Sequence, residues 1–223
     1  MPDQLNVYNN FGQPPVTLFN NSHFVVDLYF WLHSDTSIHT HSFTGAFKVL
    51  FGQSHQEIFN LKNVESFEED IRLNEYEVKE RRTLKQGECQ MITPGDRFCH
   101  RVSHLNSPTV TLCMRTINDK ATPQWHQFEN GLSILKVEIP QQVYKTLFFY
   151  QYFLSQSSKR AKTFLQDFIN QSAPSLIINL FEEVLSGALG LDDEVLEKFH
   201  NMVLKTYRDK SWFQLYLEAC SEE

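Results

Sequence analysis

From Val16 to about Glu138 the chain runs in short segments in which apolar and polar residues alternate, rich in Val, Ile, Phe, Tyr and Thr and interrupted by Gly, Pro, Asn and Asp. A period of two marks a half-buried strand, because successive side chains leave opposite faces of a pleated sheet. The pattern predicts strands at 16–19, 24–31, 37–51, 56–61, 74–84, 88–92, 98–104, 109–116 and 133–138. Many short strands joined by turns close up as a sandwich or a barrel, the arrangements that protect sheet edges.

After Pro140 the period changes. Val143, Leu147, Tyr150 and Leu154 recur at helical spacing, as do Phe164 and Phe168, then Leu176, Leu180 and Leu185, then Val195, Phe199, Met202 and Tyr207. Breaks are predicted at Pro174, at the Gly187/Gly190 pair ahead of an Asp192-Asp193 cap, and at Asp209. The organisation expected is mainly β with α: an antiparallel β-barrel or jelly roll over 1–140, followed by a helical bundle over 141–223. The aromatic run 147–153 is too short and too polar-flanked to cross a bilayer, so it predicts burial against the β-domain or a second subunit. A homodimer is expected on that account.

Composition narrows the function classes. With 20 Lys+Arg against 27 Asp+Glu the formal charge is −7, and the excess is shared by both halves. Nucleic acid and anionic membranes both require a concentrated positive face, so neither is an expected partner. The N-terminus carries no basic segment followed by an apolar run and no stretch is apolar enough to span a membrane, which predicts a cytoplasmic protein. Cys89, Cys99, Cys113 and Cys220 form no CxxC pair and lie at no zinc-finger spacing; they read as thiols, most packed as small hydrophobes.

The candidate chemistry lies in two histidine clusters. In the first, His39 and His41 are two apart on a predicted strand, so both imidazoles leave the same face with backbones roughly 6.6 Å apart and are able to converge on one ion. The same parity turns Phe43, Phe47, Val49 and Phe51 inward as an apolar wall. The second cluster follows a Pro94-Gly95-Asp96 turn and carries His100 and His104. Those two share a face but stand roughly 13 Å apart along a strand, so only His100 is expected beside the first pair. His104 is expected to hydrogen-bond behind a ligand and fix its tautomer, and His55, after the Gly52 turn, is an alternative fourth ligand. Buried histidines also serve as hydrogen-bonded structural groups, and that reading stands beside the metal one. Arg101 points away from His100 by parity and is expected in an inter-strand ion pair.

These residues resemble the cupin superfamily. His39, His41 and Gly52 match its first motif, and Gly87, Pro94 and His100 match its second, with His104 where that motif usually has Asn. The acidic residue of the first motif falls on Gly45 or Ala46, which leaves a three-His set. Among cupins this is similar to the cysteine-dioxygenase type, over about residues 24–117. Where that type continues with a Ser-His-Tyr alternation, this chain has Thr111, Cys113 and Arg115. The resemblance implies an RmlC-like jelly roll and a divalent metal held by His39, His41 and His100, Fe(II) ahead of Zn, Ni, Mn or Cu. It also implies a mononuclear non-haem iron dioxygenase acting on a small organic molecule. Strand parity would line its pocket with Phe43, Phe47 and Val102, and Arg115 reads either as an anion anchor inside the barrel or as an exposed strand arginine. The alternative is a non-enzymatic cupin that binds a small ligand or a partner protein, since nineteen Phe residues are enough to fill a barrel.

Overall fold

The computed structural model describes residues 2–4, 15–32, 35–117, 121–185 and 190–222. They divide into two compact units, one formed by residues up to Val64 with Asn74–Ser133, the other by Glu65–Leu73 with Ile134 onwards.

The first unit is built on two antiparallel sheets. One contains β1 (Val16–Asn20), β2 (Phe24–Trp31), β4 (Gly45–Phe51), β7 (Cys89–Ile92) and β9 (Thr109–Thr116), in the order β1-β2-β9-β4-β7. The other closes on itself through β3 (Ile38–His39), β5 (Gln53–Glu68), β6 (Ile71–Lys85), β8 (Cys99–His104), β10 (Trp125–Gln127) and β11 (Leu132–Leu135), in the order β10-β11-β6-β5-β8-β3. The ladder between β2 and β9 runs unbroken from Phe24↔Thr116 to Trp31↔Thr109. Strand parity then sorts the side chains: Val25, Asp27 and Trp31 are buried, whereas Phe24 and Phe30 are exposed. Residues from both sheets meet in one apolar cluster of Phe47, Val49, Ile58, Leu84, Ile92, Phe98 and Cys113, with Tyr29 and Phe43 packed against it.

Several strands differ from the sequence pattern, each for a local reason. The run 37–51 is two strands in different sheets: β3 belongs to the closed sheet and β4 to the open one. Between them Thr40 exchanges hydrogen bonds with Trp125, and the His41 carbonyl accepts from the Gly95 amide at 2.8 Å, so residues 40–44 cannot continue a ladder. Phe51 does not line the interior; a register shift between Val49 and Phe51 turns it out, 55% exposed. β10 has too short an apolar signal to be seen in sequence, and 133–138 shortens to β11. His33 and Gly187 lie outside the described residues.

The second unit contains α1 (Gln141–Gln156), α2 (Ser158–Gln171), α3 (Pro174–Leu185), α4 (Asp193–Tyr207) and α5 (Ser211–Glu222). Buried stripes at three- and four-residue spacing, such as Ala161, Leu165 and Ile169 on α2 or Val195, Phe199 and Val203 on α4, bind the helices together. In the aromatic run of α1, Leu147 and Tyr150 are buried while Phe148, Phe149 and Tyr152 are exposed, as helical rather than uniform burial requires. Asp192 sits at the N-cap of α4, but its carboxylate accepts from Gln151 instead of from the helix. No helix among the described residues is long and apolar enough to cross a membrane. The fold class is mainly β, with the helices at the C-terminal end.

Candidate metal centre

His39 and His100 are direct cross-strand partners on β3 and β8, which places both rings on one face of the closed sheet. His41 lies two residues beyond His39, past the end of β3, and the bond from the Gly95 amide to its carbonyl holds it against the turn that leads into β8. Gly95 takes φ +71° in that turn, a conformation side chains other than hydrogen rarely tolerate. The Pro-Gly-Asp segment thus fixes both clusters at once.

The three imidazoles form a near-equilateral triangle, with ring centroids 4.7 Å (His39–His41), 4.8 Å (His39–His100) and 5.0 Å (His41–His100) apart. One ring nitrogen from each lies within 4.8 Å of the others. His41 Nε2 and His100 Nε2 are 3.0 Å apart. His39 Nδ1 is 2.7 Å from the Ser37 carbonyl, and a carbonyl only accepts, so Nδ1 carries the proton and Nε2 of the neutral ring is left as a base. His100 Nδ1 is buried and has no hydrogen-bond partner among the described residues. All three rings are almost entirely buried, and burial lowers the pKa of each: His39 to about 4, His41 and His100 well below the usual imidazole value. Neutral imidazole is the ligating form.

This donor set suits a divalent first-row metal. Two nitrogens 3.0 Å apart subtend about 90° at an ion with metal–nitrogen bonds of about 2.1 Å. An ion held by these three imidazoles would keep further coordination positions for exogenous molecules. The wall is aromatic: Phe43 lies 4.9 Å from His41, Phe98 4.6 Å from His100 and Phe47 6.4 Å from His100, centroid to centroid. Val102 is buried and shares the face of His100.

The position at which the resemblance would place an acidic residue is closed to side chains for a steric reason. Alternation puts Gly45 on the inner face of β4, with Phe47, and Ala46 on the outer one. A Cβ on Gly45 would stand 2.6 Å from the Met114 carbonyl oxygen and 3.1 Å from Cα and Cβ of Arg115.

Two other sequence candidates stand apart from the triangle. His104 does not support a ligand from behind: its Nδ1 is 3.1 Å from Ser54 Oγ and its ring stacks on Trp31 at 4.2 Å, because strand rise carries it away from His100. Burial lowers its pKa to about 4. His55 pairs with Ser103 while Ile58 pairs with His100, so it leaves the opposite face of β5 and meets Thr83 Oγ1 at 3.0 Å. Arg115, by contrast, faces inward. Its guanidinium lies 5.5 Å from the Phe43 ring and 3.5 Å from Asp27, a carboxylate with no exposed surface. Sequence reading missed Asp27, whose burial only the parity of β2 discloses, and His126, which β10 sets directly opposite His39.

No protein-family model matches the chain, and no curated protein matches it by sequence. Among solved structures, it is similar to hydroquinone 1,2-dioxygenase from Sphingomonas sp. TTNP3 with 4-hydroxybenzoate bound, at 13% identity over 53% of this chain and 80% of that one, with a TM-score of 0.38. An RmlC-like cupin from Shewanella frigidimarina NCIMB 400 aligns at 12% identity over 48% and 78%, with a TM-score of 0.33. KdgF from Halomonas sp. aligns at 9% identity over 54% and 98%, with a TM-score of 0.36. The reading of the site rests on the residues above. The β-domain thus combines two antiparallel sheets with a buried three-His group on the closed one.

Proposed function

We propose that the chain is a metal-dependent cupin in which His39, His41 and His100 hold one divalent ion, and that it acts as a mononuclear non-haem iron dioxygenase on a small organic molecule. The observation that carries the reading is the buried triangle of neutral imidazoles, with nitrogens from two separate clusters of the sequence within 4.8 Å. Nothing in ordinary core packing requires three polar rings to meet at one buried point, since burying an unsatisfied polar group is costly. When bound, such a metal supplies Lewis acidity and, as iron, redox chemistry with dioxygen and a substrate side by side. The chain's own residues do the rest. Ser37 fixes the His39 tautomer, and Phe43, Phe47 and Phe98 pack an apolar wall against His41 and His100.

The test is metal analysis of the purified protein beside a variant with His39, His41 and His100 all changed to Ala. About one equivalent of first-row metal in the native protein, lost in the variant, is the expected result. Oxygen uptake with small organic acids, phenols and thiols then separates dioxygenase from other chemistry. A folded protein that takes up no metal under any loading condition favours the second reading, a non-enzymatic cupin binding a small ligand or partner. One observation supports that reading: the three Phe rings already pack on the triad. The same proposal places the protein in the cytoplasm, with all four cysteines as thiols, and makes it a homodimer in which the exposed Phe148, Phe149 and Tyr152 find a partner surface. Light scattering on the purified chain checks the last point.

A further inference from the structure

We propose that the outer face of the open sheet is a self-association surface, on which a second copy of this chain stacks sheet against sheet. It is a different surface from the aromatic face of α1 and does not depend on the metal reading.

An antiparallel sheet with one solvated face alternates apolar and polar residues, whereas strands covered on both sides read as near-continuous apolar runs. β2, Phe24–Trp31, is such a run, broken only by Asp27. Parity sends Val25, Asp27 and Trp31 inward and leaves Phe24, Val26, Leu28 and Phe30 outside. Register then carries the apolar stripe across the sheet. One row runs Phe19–Val26–Met114–Ala46–Met91 through all five strands, with Met114 53% and Met91 61% exposed. Another joins Phe30, Val110 and Phe51, and Phe19 stacks on Phe24 at 5.0 Å along one side. None of the side chains in these two rows is buried.

Charge, geometry and size select a second copy as the occupant. The chain carries −7, so two copies repel wherever acidic surfaces meet. The five strands hold three charged residues, Asp27, Lys48 and Arg115; the first and last face inward, which leaves Lys48 as the one charge outside. This face is therefore free of the acid that drives copies apart, and a partner chosen for charge of either sign finds little to match. The edges of the sheet are less suitable. At the β1 edge the Gln4 side chain accepts from the Thr17 amide at 2.9 Å and donates to the Thr17 carbonyl at 3.1 Å, and β7 is only four residues long. Stacking face to face, with the sheets about 10 Å apart, is what remains. A face about 20 Å across the strands and about 20 Å along them projects about 400 Å² and exposes more, so two copies together bury about 1,000 Å², where specific interfaces begin. A two-fold axis near β9, the middle strand, sets Met114 at the centre, where flexible thioethers fill gaps between sheets, and puts Lys48 and Cys89, paired toward the β7 edge, at the solvated rim.

The experiment takes full-length protein through sedimentation equilibrium from micromolar to near-millimolar concentration, beside Met114→Glu and Ala46→Glu, cross-strand neighbours on β9 and β4, and Phe149→Ser on α1. Native protein should associate reversibly. Each acid on the sheet should weaken that association about tenfold or more and halve the mass at concentrations where the native chain is paired, with an unchanged circular dichroism spectrum. Phe149→Ser should keep the sheet-mediated pair. Peroxide oxidation of Met114 in the unaltered protein, read by mass spectrometry, needs no variant to fold and should slow as concentration rises. A native chain that is monomeric throughout, a folded acid variant that keeps the native mass, or Met114 oxidation indifferent to concentration would each overturn the assignment. Loss of all association in Phe149→Ser would give pairing to α1 instead. A monomer that binds phosphatidylcholine vesicles, and loses them in Met114→Glu, would give the face to a lipid surface and equally overturn it.

Discussion

At Gly45 the constraint is steric rather than torsional, since its φ is not in the left-handed region and the obstacle is backbone. A Cβ 2.6 Å from the Met114 carbonyl oxygen cannot be absorbed by rotating a side chain, so the β4–β9 ladder itself would have to open. Gly45→Ala should cost about 2–3 kcal/mol of stability. Gly87 is the useful control: it has φ +91° with open space around it, so Gly87→Ala pays only torsional strain, about 1 kcal/mol. Urea midpoints of the two variants check the order. The thiols offer a second test at this scale. Cys99 and Cys113 are buried, and burial pushes the Cys113 thiol up to about 12, which leaves almost no thiolate at neutral pH. Cys89 and Cys220 are exposed. Native protein should therefore release two equivalents with a thiol reagent at pH 7.5, rising to four on denaturation; rapid loss of Cys113 in the native state would show that the interior opens.

Among the strands, the outer face of the closed sheet is tied by Glu57, which stands on β5 between Arg81 of β6 and Arg101 of β8. Its oxygens accept from Arg81 Nε at 2.6 Å and Arg101 Nε at 2.5 Å, and Arg101 also pairs with Glu129. The Arg81 hydrogen bond first, and the neighbouring Arg101, hold the Glu57 carboxyl below the usual carboxylate range. A group whose folded pKa is depressed stabilises the fold above its unfolded pKa and loses that contribution as pH falls through the folded value. Both arginines are partly exposed, so the contribution is screened and amounts to about 1 kcal/mol. Native protein should outlast Glu57→Gln in urea at pH 7, with the gap closing below about pH 4; a gap that persists unchanged at acid pH would assign it to packing. The Arg101 side of this cluster was legible in sequence by parity, as were most strands and the period change at Pro140. What sequence could not show was set by tertiary hydrogen bonds. The switch of sheet at residues 40–44 depends on Trp125 and Gly95, and the convergence of His41 on His100 depends on that same break. The three histidines were legible because both clusters are short and rigidly spaced, whereas the loss of His104 and His55 from the site follows from rise and parity once register is known.

Chain order and folding unit do not coincide in this molecule. Glu65–Leu73, the turn between two long strands of the β-domain, groups with the C-terminal helices. Residues 65–70 carry four acidic side chains, yet Asp70 is buried there. Its carboxylate accepts from the Ser175 amide at 2.7 Å, in the first turn of α3, and its carbonyl accepts from the Leu135 amide at 3.0 Å. A carboxylate at that end of a helix satisfies an amide that has no intrahelical acceptor and meets the positive end of the helix dipole. Glu68 adds an ion pair to Lys210 at 3.0 Å, just ahead of α5, and Tyr207 is raised to about 12 by burial and by Asp70 and Glu68. Asp70→Ala should therefore lower stability by about 1–3 kcal/mol, since it leaves a buried helix amide unmet, while metal content of the β-domain is unchanged. The same arrangement predicts the outcome of dissection. A fragment ending at residue 140 keeps every candidate ligand but strips Ile71 and Asp70, both buried in the whole chain, of the helices they group with. Such a fragment should be less soluble and melt lower than the full chain, and replacing 65–73 by a short polar turn should recover part of the solubility. A fragment that melts like the intact protein would mean that this hairpin end stands by itself, and that Asp70 contributes to the helices without depending on them.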